Sequence, residues 1–247
     1  MRRTHPNPLG LVLVLGDHAT PLASLAERMR RLGYRVVRAK TPQQALDLTE
    51  ERGYCFSAAL VETTLPVVSL ERALSELQER AGEGDLVFIA AGDRPDLEGL
   101  ERLRQADVKL ALWEPVGNHA LRFQLNRALA GRRDDWLRGD LRAPMETPVK
   151  IFSAGREKRA SIYTLSSGGA YLETIRPSPT GANIAIELPL PRGDIELAAR
   201  VLYTNVPGNL QSDKLPSGMG IRFTETPATG QQLIEHTVTE RATFLVV

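Results

Sequence analysis

The sequence predicts two domains: an α/β domain built on a flavodoxin-like, five-stranded parallel sheet, then an antiparallel six-stranded β-barrel with a C-terminal helix. Three observations predict this. A chain of 247 residues suits two domains of ordinary size, each with its own core. Up to about residue 130, short apolar runs alternate with stretches of helical period, as parallel strands and their crossover helices require. Beyond that point the period changes to short β-type runs separated by Gly, Pro and Ser.

In the first half the strands read as Leu11 to Leu15, Arg35 to Ala39, Ala58 to Glu62, Leu86 to Ala90 and Lys109 to Trp113. Leu22, Leu25, Ala26, Met29 and Leu32 share one face of the first helix, and Gly33 stops it. Ala45, Leu46, Leu48 and Thr49 mark the second helix, and apolar periodicity over 70–77, 97–103 and 120–129 marks the other three. The polar stretch Gly131-Arg132-Arg133-Asp134-Asp135 reads as a linker, so the expected divisions are 9–130, a linker at 131–137, and 138–247. In the second half the strands read as Val149 to Phe152, Arg159 to Leu165, Ala170 to Glu173, Asn183 to Leu188, Ile195 to Thr204 and Gly218 to Phe223. A helix from about Thr229 to Glu240 follows, leaving Phe244 to Val247 as an apolar tail suited to a dimer contact.

Charge excludes some functions. With 31 basic against 30 acidic residues and a net charge of +1, no global field attracts nucleic-acid polymers or anionic membranes, so any anion must be caught locally. No apolar run approaches the ~20 residues that span a bilayer, so membrane insertion is not expected. The run Leu9 to Leu15 after Arg2-Arg3 is too short and too interrupted for a signal peptide, and the expected location is the cytoplasm. The lone Cys55 excludes an internal disulfide, and its apolar surroundings predict a packed core thiol. His5, His18, His119 and His236 lack metal-ligand spacing, and no nucleophile elbow, P-loop or dinucleotide fingerprint is present. Neither a metal, nor a cofactor, nor enzymatic activity is expected.

The first half resembles the receiver domains of two-component signalling over most of residues 11–130. That resemblance implies an acidic pair after the first strand for Mg²⁺, an Asp after the third, a hydroxyl after the fourth and Lys-Pro after the fifth. At those places stand Gly16-Asp17, Glu62, Ala90 or Ala91, and Glu114-Pro115. Glu62 carries one methylene too many for in-line attack, and Glu114 puts negative charge where phosphate needs positive. The expectation is a pseudo-receiver, a degenerate site at Asp17, Glu62, Ala90 and Glu114, in a domain that works by contact with a partner protein or a second copy through its last helix and strand.

In the second half Arg138 and Arg142 stand four apart, and Thr164-Leu165-Ser166-Ser167-Gly168-Gly169 ends a strand. Gly181-Ala182-Asn183, Ala199-Arg200-Val201 and Gly218-Met219-Gly220-Ile221-Arg222-Phe223 follow in order. This succession resembles the PilZ family over most of residues 136–240, whose signature is RxxxR before the first strand and [D/N]xSxxG after the second. Arg138, Arg142, Ser166 and Gly169 match, and Thr164 departs. The resemblance implies a ligand, cyclic di-GMP, often bound as a stacked dimer, with an arginine arm folding over it. The chemistry agrees: guanidinium bridges phosphate oxygens, pairs with guanine O6 and N7, and stacks on bases. Ser166 offers a hydroxyl to phosphate, and Gly168 and Gly169 admit the ligand without a Cβ clash. Thr164 in place of an acid costs ~1–2 kcal/mol, or about ten- to thirtyfold in affinity. Arg200 and Arg222 read as structural ion-pair or barrel-edge residues, with ligand contact by one of them as the lesser alternative, and Trp113 and Trp136 as core or interface anchors, with packing on the nucleotide as the alternative for Trp136. The functional expectation is a bacterial signalling effector that senses cyclic di-GMP; the alternative is an adaptor whose two domains act only through protein contacts.

Overall fold

The computed structural model describes residues 10–17, 21–130 and 140–247, with backbone alone at 82–85. Arg138, Trp136, His5, His18 and the linker 131–137 lie outside the described residues. By their contacts the described residues form two units: 10–130 together with Phe244–Val247, and 140–243.

The first unit is a parallel sheet of β1 (Leu11–Leu15), β2 (Arg35–Ala39), β3 (Phe56–Glu62), β4 (Gly82–Gly92) and β5 (Leu110–Trp113), in the order β2-β1-β3-β4-β5. Its helices are α1 (Pro21–Arg31), α2 (Pro42–Arg52), α3 (Leu70–Ala81), α4 (Leu97–Gln105) and α5 (Asn118–Ala130). Every residue of β1 is buried because both faces of the sheet are covered, which explains its unbroken apolar run. Leu13, Leu15 and Val61 share one core with Leu46, Leu74, Leu77 and Leu103. Val12, Val14 and Leu60 point the other way, into a core with Leu25, Met29, Leu121 and Leu125. Local signals set the helix ends. The Thr41 hydroxyl accepts from Gln44 N at 3.2 Å, the Asp96 carboxylate accepts from Gly99 N at 2.9 Å, and Gly53 closes α2 at φ 65°.

Cys55 is exposed, against expectation. The apolar run around it serves its neighbours: Phe56 is fully buried, Tyr54 packs on the same core, and the residue between two core-facing residues points away. The sheet also carries an addition. Val246 bridges Leu110 of β5 in antiparallel sense, so the segment after residue 243 pairs in the first unit.

The second unit is a closed barrel in the order β10-β11-β8-β7-β6-β9. Its strands are β6 (Arg142–Ser153), β7 (Arg156–Ser166), β8 (Gly169–Glu173), β9 (Asn183–Leu190), β10 (Gly193–Asn205) and β11 (Gly218–Glu225). Ile151, Ile162, Leu172, Ile186, Leu197, Val201, Met219 and Ile221 fill the interior, and Ile234 and Val238 of α6 (Ala228–Thr243) complete the core. β6 begins well before the expected Val149. Pro144 and Pro148 conceal it, because proline donates no ladder bond and argues against a strand; here a register shift between Pro144 and Thr147 accommodates the interruption.

Candidate ligand-binding site

The outer face of the barrel owes its chemistry to two bulges. On β7 the pairing with β8 jumps from Ile162↔Leu172 to Thr164↔Tyr171, so Tyr163 is an extra residue. Ile162 and Leu165 both face the core, and between them Tyr163 and Thr164 both lie off it. Without that insertion, strict alternation would turn Thr164 inward beside Ile162. On β10 the pairing jumps from Val201↔Ile221 to Tyr203↔Gly220, which likewise leaves Leu202 and Tyr203 off the core.

These residues meet in a cleft of about 340 Å³. Arg142, Thr164, Ser166, Gly168 and Gly169, all expected from the sequence, line it together with Asp140, Tyr171, Leu202, Tyr203 and Arg222, none of which the motif names. Arg142 was expected on an arm before the first strand. It is instead the first residue of β6, fixed opposite Ser166. Ser166 is buried, and its hydroxyl donates to the Gly169 carbonyl at 3.1 Å, which ties the β7–β8 turn. Its single proton is therefore engaged, and a phosphate would have to take it from that bond.

Close backbone approach explains the glycines. A Cβ at Gly169 would stand 2.2 Å from the Ile221 carbonyl oxygen, so only glycine lets β8 meet β11 there. A Cβ at Gly220 would stand 2.4 Å from the Tyr203 ring, which lies against that strand. Gly168 differs: a Cβ there meets the Asp140 carboxylate at 3.5 Å, an ordinary contact, so this glycine leaves room in the cleft rather than between strands.

Arg222 stands opposite Gly169 on one side and Arg200 on the other. Neither arginine forms an ion pair among the described residues, which leaves the barrel-edge reading and, for Arg222 in the cleft, the ligand-contact alternative. Two like charges directly across a ladder repel, and an anion in the cleft relieves that repulsion. Tyr171 makes the floor. Its ring meets Tyr163 edge-on at 5.9 Å and Tyr203 at 6.1 Å, and its hydroxyl donates to the Pro216 carbonyl at 2.6 Å. Burial, reinforced by Tyr203, pushes the Tyr171 phenol well above its ordinary range. Asn205 braces the adjoining loop, donating to the Leu215 and Pro216 carbonyls at 3.3 Å and accepting from Gln211 N and Ser212 N.

In the first unit the expected receiver positions stay at strand ends. Glu62 is buried, and its carboxylate accepts from Asp17 N at 2.8 Å. Glu114 accepts from Val116 N at 3.0 Å, and Ala90 and Ala91 are fully buried in β4. Among the described residues no cluster of three His, Cys, Asp or Glu side chains could hold a metal ion.

The family model described as PilZ domain matches residues 133–240. Among curated proteins, the virulence sensor protein BvgS of Bordetella pertussis is 31% identical over 124 residues, which cover 48% of this chain and 10% of that protein. The chain thus spans about a tenth of the length of this relative. Among solved structures, the receiver domain of a sensor histidine kinase from Pseudomonas aeruginosa aligns over 50% of this chain and 99% of its own, with 23% identity and a TM-score of 0.43. The Bacillus subtilis inhibitor of motility aligns over 43% of this chain and 51% of its own, with 22% identity and a TM-score of 0.35. The closed barrel and its glycine turn agree with the match to the PilZ domain model, and the barrel follows an α/β unit built on a five-stranded parallel sheet.

Proposed function

We propose that the barrel binds cyclic di-GMP in the outer cleft and that the receiver-like domain, which does not accept phosphate, passes the signal on by contact with a protein partner in the cytoplasm. One observation carries the reading: Arg142, Thr164, Ser166, Gly168 and Gly169, the residues that the sequence motif points to, line a single cleft. Arg142 and Arg222 bring two guanidinium groups to its rim, matching the phosphates and the O6/N7 edges of the ligand. In the sequence Arg138, four residues before Arg142, completes the RxxxR pattern. Asp140 brings a carboxylate for the guanine N1–H and N2–H donors, the role that Thr164 fills weakly. Tyr203 and Leu202 offer surface on which a base can lie. At the receiver positions, Glu62 and Glu114 already hold backbone amides, which favours a domain kept for its surface.

Isothermal titration of cyclic di-GMP into the whole protein tests this. Binding is expected, and Arg142→Ala should weaken it about ten- to a hundredfold, the worth of a lost charged hydrogen-bond pair. An absence of heat with the unaltered chain would overturn the ligand reading and leave an adaptor that works by protein contact alone.

A further inference from the structure

The segment Phe244–Val247 follows α6 directly, yet it pairs in the first unit, at the edge of β5. Two hydrogen bonds make the pairing: Ala111 N donates to the Leu245 carbonyl at 3.0 Å, and Val247 N donates to the Lys109 carbonyl at 3.2 Å. With the bridge between Leu110 and Val246 they form a regular antiparallel ladder on an otherwise parallel sheet. The side chains alternate as strand addition requires. Leu245 is buried and Val247 packs against the core that holds Leu77 and Leu103, whereas Phe244 and Val246 are exposed.

A second element is built for this strand. Gln124 lies on the apolar face of α5 between Leu121 and Leu125, fully buried. Its amide nitrogen donates to the Ala111 carbonyl at 2.9 Å and to the Leu245 carbonyl at 2.6 Å, while its side-chain oxygen has no hydrogen-bond partner among the described residues. A wholly buried amide is costly unless its donors are met, and the second donor is met only by the added strand. An edge strand left bare is also a template for pairing with other chains.

We propose that the β5 edge, with Gln124, is an acceptor site for an extended apolar strand of pattern Leu-x-Val, and that this chain's own Phe244–Val247 fills it. Strand addition gives such a site its affinity through main-chain bonds and its selectivity through alternate side chains. A partner strand can reach β5 only by displacing this segment, so the segment guards the surface through which the receiver-like domain would pair. The proposal is independent of ligand binding at the barrel.

Hydrogen exchange measured by mass spectrometry on the whole protein tests it, with Leu245→Asp/Val247→Asp as the variant. The β5 amides should exchange at least about tenfold faster in the variant, with β1 and β3 unchanged. A synthetic Thr-Phe-Leu-Val-Val peptide should restore protection, and Thr-Phe-Asp-Val-Asp should not. Should the aspartates also speed exchange at β1 and β3, Gln124→Leu decides, since it keeps the packing and removes only the donor; it should speed exchange at β5 alone. Equal β5 exchange in the chain and in Gln124→Leu, failure of the matching peptide to restore protection, or uptake of that peptide by the unaltered chain would each overturn the proposal.

Discussion

Thr164 and Asp140 line the same cleft, one with a neutral hydroxyl and the other with a carboxylate, and the guanine N1–H and N2–H donors of the proposed ligand would favour the carboxylate. Two substitutions follow from that division. Thr164→Asp should tighten cyclic di-GMP binding about ten- to thirtyfold, and Asp140→Asn should loosen it by a similar factor, both read by isothermal titration. Opposite shifts from neighbouring residues would identify the pair as sharing one role. Tyr171 carries a different prediction. Its folded pKa is raised above the unfolded value of about 10, because burial and Tyr203 disfavour the phenolate. The native state therefore holds its proton longer than the unfolded chain, so this contribution is fully present below pH ~10 and is lost as pH rises from there toward the folded value. Urea midpoints measured from about pH 8 to 11 should fall along that upper range. Tyr171→Phe should flatten the fall while costing about 1 kcal/mol at neutral pH for the lost bond to Pro216.

Among the elements, the β7–β8 turn places the site. Gly168 and Gly169 look alike in sequence, yet one faces open cleft and the other a backbone carbonyl at 2.2 Å. Gly169→Ala should force β8 away from β11 and destabilise the barrel by about 1–3 kcal/mol in urea unfolding. Gly168→Ala should leave the unfolding midpoint nearly unchanged and act on ligand affinity, because its new methyl enters the cleft. The elements also show where reading a sequence works. Continuous apolar runs identified β1 and β3, and Gly53 identified the end of α2, because burial and capping are local consequences of composition. Pro144 and Pro148 hide the start of β6, so the sequence places Arg142 on an arm where the structure has a strand. The bulges at Tyr163 and Leu202 were hidden too, since a single inserted residue leaves no compositional mark.

For the whole molecule, the two units have separate cores, and a ligand held by one of them stabilises that one. At about a hundred times its Kd, cyclic di-GMP should add ~2.7 kcal/mol to the barrel. Differential scanning calorimetry should show one transition moving up with ligand and the other staying in place, and Arg142→Ala should abolish the movement. A shift of both transitions together would mean that the units unfold as one.

What the sequence by itself determined is the pair of folds and five of the residues that line the cleft. Periodicity of apolar residues is a local property, and the order Arg142, Thr164, Ser166, Gly169 is readable along the chain. The tertiary structure alone decided that Asp140, Arg222 and Tyr203 share the cleft, that Arg200 and Arg222 form no ion pair among the described residues, and that Phe244–Val247 pairs with β5. Each of these depends on backbones distant in sequence coming within hydrogen-bond or van der Waals reach. Gln124 shows the physical reason most clearly: a polar residue on an apolar helix face has meaning only once the strand that takes its second proton is in place.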